Sequence, residues 1–153
     1  MGSYFLDTSA IVKRYFPEPG NAWIVTLCDP TQGHKLYISQ AALVEVIAAT
    51  CRKAREQNIA VNERDILIDR FRQDTQRIYG IRLVTNAVYI SAGNLCRSHA
   101  LRTYDSVQLA GALALRDKAL ANQAPVPTFV CADINLIKFA LAEGLSVENP
   151  NNY

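Results

Sequence analysis

Apolar and polar positions alternate along the chain in two periods, one typical of strands and one typical of helices. Short apolar runs are followed by longer segments in which apolar residues recur every three or four positions. The predicted strands are a run that ends at Leu6 and residues 35–39, 81–84, 128–132 and 145–148. The predicted helices cover residues 10–16, a short segment capped by Asn21, residues 40–57, a segment beginning at 62, residues 86–99, a segment from 105, and residues 134–143.

This alternation of strands and helices predicts a mostly parallel sheet with both faces covered by helices. Small residues cluster in the segment from 105, where Ala110, Gly111, Ala112 and Ala114 favour close packing of that helix on the sheet. With 153 residues and no internal repeat, linker or low-complexity stretch, we expect one domain spanning residues 1–153.

Four acidic residues fall where this pattern changes from one element to the next. Asp7 and Asp133 each follow a buried-type strand, and Glu45 and Asp105 lie near the starts of helices. Right-handed crossovers bring the carboxyl ends of parallel strands to one edge of the sheet, which is where ligands bind in open α/β folds. The four carboxylates are therefore expected to lie together at that edge.

Such a group of like charges is unfavourable without a counter-ion, because each carboxylate raises the pKa of the others. An all-oxygen ligand set favours Mg²⁺ or Mn²⁺ over zinc. Mg²⁺ commonly binds phosphate oxygens, which points to phosphodiester or phosphoryl chemistry.

Each acid also has a purely structural interpretation. Asp7 and Asp133 could cap the helices that they precede, and Asp105 could be placed to favour a helix dipole. Glu45 could be one polar position on an amphipathic helix. The four acids together, rather than any one of them, favour the metal site.

The charge and composition of the chain limit its possible substrates and its location. The 16 Lys and Arg residues nearly balance 14 Asp and Glu. If four acids share one cleft, the remaining surface is basic, which suits a polyanion. No apolar stretch reaches the roughly 18 residues of a membrane span, and no signal peptide is expected, so a cytoplasmic protein without membrane contact is predicted. The four cysteines lack zinc-site spacing and are expected to be reduced.

At this point the sequence resembles the PIN-domain ribonucleases, in particular VapC-type toxins of type II toxin–antitoxin modules. The opening run from Asp7 to Tyr15 with Glu18-Pro19-Gly20 is similar to the family's first motif, and Val44-Glu45-Val46 to its second acidic position. The third and fourth positions are matched by residues 101–110 and 131–136, and residues 144–150 resemble the usual ending.

The resemblance implies a three-layer α/β/α fold with a central, mostly parallel sheet of about five strands. It also implies a metal-dependent endoribonuclease in which Asp7, Glu45, Asp105 and Asp133 hold one or two Mg²⁺ or Mn²⁺ ions, with Asp7 and Asp105 as direct ligands. RNA would be the substrate, a cognate antitoxin protein the partner, and a homodimer the common assembly.

Further residues are candidates for supporting roles. Thr8 or Ser9 could hydrogen-bond Asp7 or the scissile phosphate, or could simply cap the first helix. Contacts to the RNA backbone could come from Lys13, Arg14 and Arg102, although each could equally be a solvated surface residue. Asn135, two positions after Asp133, could contribute to the site.

Two other interpretations compete with the nuclease. A receiver-type phosphoacceptor domain would need an adjacent acidic pair near the first strand, whereas Asp7 lies between Leu6 and Thr8. A catalytically silent PIN-like module that binds RNA or protein would be expected to lack one of the four acids, and none is missing.

Overall fold

The computed structural model describes all 153 residues and contains five strands and seven α-helices. The strands are β1 (Ser3–Leu6), β2 (Lys35–Ser39), β3 (Tyr79–Arg82), β4 (Thr128–Val130) and β5 (Val147–Glu148). The helices are α1 (Thr8–Ile11), α2 (Asn21–Leu27), α3 (Ala42–Arg55), α4 (Val61–Arg77), α5 (Asn86–Ser98), α6 (Thr103–Ala121) and α7 (Ile134–Ala142). Short 3-10 turns lie at Val12–Arg14, Pro30–Gln32 and Pro150–Asn152.

All strand pairs are parallel, and the order across the sheet is β3-β2-β1-β4-β5. The first strand is therefore the central one. Leu6, its last residue, is level with Ile38 of β2 on one side and with Val130 of β4 on the other. The chain segments that follow these strands consequently leave the sheet at one edge.

Helices cover both faces of the sheet, as the alternating pattern predicts. One core, which includes Leu6 and Phe71, packs α1 to α4 against β1, β2 and β3. The other, which includes Phe5 and Leu136, packs α5, α6 and α7 against β1 and β4. Adjacent residues of β1 thus point into opposite cores, which gives the three-layer α/β/α arrangement.

The helix α6 approaches the central strand closely. A side chain at Gly111 would place its Cβ 3.3 Å from the ring of Phe5. Ala110 and Ala112 are almost fully buried on the same helix. The prediction that small residues bring this helix onto the sheet is confirmed for Ala110, Gly111 and Ala112, whereas Ala114 is exposed.

Three element predictions need correction. The third strand begins and ends two residues earlier than expected, because Tyr79 is its buried residue while Ile81 and Leu83 are exposed at the edge of the sheet. The first helix covers only four residues before it tightens into the 3-10 turn. The N-cap of α2 is Gly20 rather than Asn21.

Gly20 is required at this cap for two reasons. Its φ of +83° lies in the left-handed region, and an added Cβ would be 2.2 Å from the backbone oxygen of Pro150. Asn21 instead donates its side-chain amide to the backbone oxygen of Lys13. No helix is long and apolar enough to cross a membrane.

Candidate active site

The carboxyl ends of β1 and β4 bring the first and last of the four acids to the same edge. Asp7 directly follows β1, and its backbone N–H donates to the backbone oxygen of Val130 at the end of β4, at 2.9 Å. Asp133 lies three residues beyond Val130 and is the N-cap of α7. The two residues are therefore placed by neighbouring strands.

Asp7 is the most enclosed of the acids, with a relative exposure of 4%. Its Oδ2 accepts hydrogen bonds from the backbone N–H and the hydroxyl of Ser9, at 2.9 and 2.6 Å. The predicted role as a helix cap is thus real, and it coexists with the position at the sheet edge. Burial raises the pKa of Asp7, the Ser9 hydrogen bonds oppose this, and the charge of Asp105 raises the pKa further.

Ser9 connects the two strand ends. Besides donating to Asp7, its Oγ accepts a hydrogen bond of 2.9 Å from the backbone N–H of Ala132, in the segment that leads to Asp133. The thiol of Cys131 lies 3.7 Å from Oδ2 of Asp7. Ser9 therefore fixes the orientation of the Asp7 carboxylate relative to the loop after β4.

Glu45 reaches the site from α3 and is held there by Gln108 of α6. The Gln108 amide donates to Glu45 Oε1 at 2.7 Å and to the Thr8 hydroxyl at 3.0 Å. Gln108 is fully buried, and its own Oε1 has no hydrogen-bond partner. Burial raises the pKa of Glu45, the hydrogen bond from Gln108 lowers it, and the charge of Asp7 adds to the increase.

Asp105 and Asp133 face each other across Arg102. The guanidinium lies 3.4 Å from Asp105 Oδ2 and 3.9 Å from Asp133 Oδ2, while the Arg102 side chain is 85% exposed. Burial raises the pKa of Asp105, the Arg102 charge lowers it, and the Asp133 charge raises it. A largely exposed arginine thus supplies the cationic contact to these two acids.

The electrostatic couplings define one group, which we call the acid cluster: Asp7, Glu45, Asp105 and Asp133. Each of the first three has a raised pKa, and in each case the charge of another member contributes. A cation in the cluster would relieve this repulsion.

The cluster suits Mg²⁺ or Mn²⁺ in donor type and in charge, because its donors are all carboxylate oxygens. Gln108, whose amide nitrogen contacts Glu45, also carries an Oε1 that is buried without a hydrogen-bond partner. As they stand, no three acidic, thiol or imidazole groups converge on a single point at coordinating distance. The side chains fit such an ion chemically, and binding would require them to draw closer together.

The supporting candidates separate into two groups. Thr8 and Ser9 both contact the acids or their partners, as described above. Asn135 contributes its backbone N–H to the Asp133 side chain at 2.9 Å, which is a helix-capping contact rather than a side-chain contribution.

Two predicted RNA contacts are instead structural. Lys13 is buried and donates to the backbone oxygen of Pro19 at 2.9 Å. Arg14 is paired with Asp74 of α4 at 2.9 Å, and both side chains are largely buried. Neither residue is available to bind a phosphate while it keeps these contacts, so we withdraw both as candidate RNA ligands.

Sequence reasoning missed Gln108, which joins three of the site's elements. Its only signal is that it is a large polar residue between Val107 and Leu109 on the buried face of an apolar helix. A buried amide in that position needs partners, and the need could have marked it.

Comparison with known proteins identifies the family of the chain. The family model described as PIN domain matches residues 4–123. Two curated relatives from Mycobacterium tuberculosis strains, Ribonuclease VapC45 and Ribonuclease VapC49, are each 33% identical to the chain over 119 residues. That match covers 76% of this chain and 78% of theirs.

Solved structures share the fold at low sequence identity. FitAcB from Neisseria gonorrhoeae has a TM-score of 0.64 at 17% identity, covering 96% of this chain and 97% of that one. VapBC2 from Rickettsia felis, solved bound to a DNA fragment from its promoter, has a TM-score of 0.61 at 20% identity, covering 96% and 98%. The family model spans most of the chain and includes the segments that carry Asp7, Glu45 and Asp105. The chain therefore belongs to the PIN-domain family.

Proposed function

We propose that the protein is a metal-dependent endoribonuclease, acting as the toxin of a toxin–antitoxin pair. The observation that carries the proposal is the acid cluster, in which carboxylates from four chain segments come together and the pKa values of Asp7, Glu45 and Asp105 are each raised in part by the charge of another member. Such repulsion does not stabilise the fold, and clustered carboxylates with raised pKa values are typical of functional sites, where a bound cation offsets the repulsion. The curated relatives are named ribonucleases, which supports RNA as the substrate.

Within this proposal Asp7 and Asp105 hold the ion directly, and Glu45 and Asp133 act through waters. Bound Mg²⁺ or Mn²⁺ supplies a water of lowered pKa and neutralises charge on the phosphate. Ser9 keeps the Asp7 carboxylate in one orientation, and Gln108 does the same for Glu45. Arg102, exposed at the entrance, is positioned to meet an incoming phosphate.

The partner proposals rest on the relatives. One structural neighbour is a toxin–antitoxin complex from Klebsiella pneumoniae, with a TM-score of 0.60 at 14% identity. Another is VapBC2, described above. We propose a cognate antitoxin for this chain, a homodimeric assembly, and action in the cytoplasm, where RNA substrates are found.

Cleavage of labelled structured and unstructured RNAs tests the proposal. Purified protein is assayed with Mg²⁺, with Mn²⁺ and with EDTA, beside Asp7→Asn and the matched control Asp69→Asn, which alters an exposed acid on α4. We expect metal-dependent cleavage that Asp7→Asn reduces at least a hundredfold and Asp69→Asn leaves unchanged. Folded wild-type protein that cuts no RNA under any condition would instead favour a silent binding module.

A further inference from the structure

A second, basic site lies along α6, away from the acid cluster. Between α6 and the edge strand β3 there are two adjacent cavities of about 400 and 460 Å³, which share Arg82, Leu115 and Lys118 as lining residues. We call the combined feature the α6 groove. Its lining contains the three cations Lys35, Arg82 and Lys118 and no acidic residue.

None of the three cations that line the groove has an ionic partner. Arg82, Lys35 and Lys118 take part in no ion pair, whereas Arg14, Lys53 and Arg116 all do. Arg82 lies instead over the ring of Tyr37, with its guanidinium carbon 5.7 Å from the ring centre. Three unpaired cations and no acid line the groove, so its charge is complementary to an anion.

The shape of the groove admits more than a small ion. Tyr37 is half-buried within it, and its neighbour in register on β3 is Gly80, where an added Cβ would be 3.0 Å from the Tyr37 ring. The Tyr37 ring therefore packs directly against the backbone of Gly80, which only a residue without a side chain permits. An aromatic ring next to unpaired cations is the combination that binds single-stranded nucleic acid.

One row of residues on α6 runs from the groove to a residue that contacts the acid cluster. Residues 108, 111, 115 and 118 recur at helical spacing, so they lie in a single row along the helix. Gln108, at one end of the row, contacts Glu45 and Thr8, while Gly111, Leu115 and Lys118 line the groove. At 1.5 Å per residue, the row from Gln108 to Lys118 is about 15 Å long.

We propose that the α6 groove binds the backbone of single-stranded RNA on one side of the cleavage point, with Arg82 and Lys118 contacting successive phosphates. This inference rests on the proposed function, because it identifies the anion as the same RNA that enters the acid cluster. The groove sets the orientation of the bound strand and contributes affinity without sequence preference.

Equilibrium binding in EDTA tests the groove without requiring cleavage. A labelled, unstructured twelve-nucleotide RNA is titrated with full-length protein at several salt concentrations, and anisotropy is recorded. The double variant Arg82→Gln/Lys118→Gln is compared with Arg97→Gln/Lys138→Gln, which removes two exposed, unpaired cations from α5 and α7. The two variants have the same net charge.

We expect the groove variant to bind roughly tenfold more weakly, and the slope of log K against log salt to become shallower by about 1.4, since two phosphate contacts are lost and each single-strand contact contributes about 0.7. The control variant should keep both values. Equal effects of the two variants, or no RNA binding by wild type, would overturn the proposal. If Arg82→Gln prevents folding, Lys35→Gln/Lys118→Gln replaces it, with the same expectation.

The outcome separates this inference from the nuclease proposal. Groove-dependent binding in EDTA without cleavage in Mg²⁺ or Mn²⁺ would keep the groove and remove the nuclease. Cleavage of RNA with an unaltered salt slope in the groove variant would keep the nuclease and remove the groove.

Discussion

Gln108 and Glu45 are separated by 63 positions in the chain, yet a hydrogen bond of 2.7 Å joins them between α6 and α3. The same amide also donates to Thr8, so one buried side chain connects the segments that follow β1 and β2 to the helix that carries Asp105. The arrangement of the acids therefore depends on a residue that is itself uncharged.

Replacing Gln108 by Leu should loosen Glu45 without removing any acid. We expect a loss of about 1–3 kcal/mol in the free energy of unfolding, because Glu45 and Thr8 lose a buried donor. Ribonuclease activity should fall roughly tenfold or more, with a higher Mg²⁺ concentration needed for half-maximal rate. Activity is measured as a function of Mg²⁺, and an unchanged metal dependence would show that Gln108 only stabilises the fold.

Replacing Asp7 by Asn should stabilise the metal-free protein at neutral pH. Because the folded-state pKa of Asp7 is raised, the folded protein binds its proton more tightly than the unfolded chain does. Its ionisation thus costs stability, progressively as pH rises from about 3.9 through the folded-state pKa, and fully above it. Asn keeps the capping oxygen and removes this cost, for a gain of roughly 1 kcal/mol.

Urea unfolding in EDTA across a pH series measures this effect. The advantage of Asp7→Asn should be largest near neutral pH and should vanish below about pH 3.9, where Asp7 is protonated in both states. An Asp7→Asn variant that is less stable than wild type at neutral pH would contradict the raised pKa of Asp7.

Mg²⁺ or Mn²⁺ should raise the thermal stability of the wild-type protein. An ion that binds only the folded state adds about 2.7 kcal/mol at a concentration one hundred times its Kd. Asp7→Asn and Asp105→Asn should each reduce the shift in Tm, and Asp69→Asn should leave it unchanged. The absence of any metal-dependent shift in wild-type protein would argue against resident metal in the cluster, independently of activity.

The ion pair between Arg14 and Asp74 should matter for folding rather than for RNA. Both side chains are largely buried, and the Tyr15 hydroxyl also donates to Asp74 at 2.8 Å. Removing either partner leaves the other unpaired, so Arg14→Gln or Asp74→Asn should cost about 3–5 kcal/mol. Arg72→Gln, which breaks an exposed pair, should cost less than about 1 kcal/mol in the same urea unfolding experiment.

RNA affinity separates the two roles of Arg14. If Arg14→Gln remains folded at low temperature, its affinity for RNA in EDTA should equal that of wild type. A reduced affinity with unchanged stability would restore Arg14 as a backbone contact.

The parts of the fold that could be predicted from sequence are those fixed by local periodicity. Residues 35–39 form the expected strand because four of the five are buried or half-buried in the middle of the sheet. The edge strand β3 was misplaced by two residues, since an edge position exposes apolar residues such as Ile81 that would be buried elsewhere.

In the candidate site, too, the residues that follow local periodicity could be predicted and those that depend on distant contacts could not. The ends of the predicted strands mark Asp7 and Asp133 as candidates, and the structure places both at the same edge of the sheet. The assignment of the four acids as metal ligands and catalytic groups stays a prediction. Gln108 and the pairing of Arg14 with Asp74 depend on contacts between residues 60 or more positions apart, which periodicity does not encode.

The central position of β1 has a consequence for synthesis. Its partner β4 lies more than 120 residues later in the chain, with Leu6 level with Val130, so the sheet is completed only near the end of translation. At about 5–20 residues per second, Asp7 leaves the ribosome several seconds before Asp133 does. The growing polypeptide therefore carries an unfinished acid cluster while it is still held in the ribosome, and the cluster is assembled only when the carboxyl-terminal third of the chain emerges.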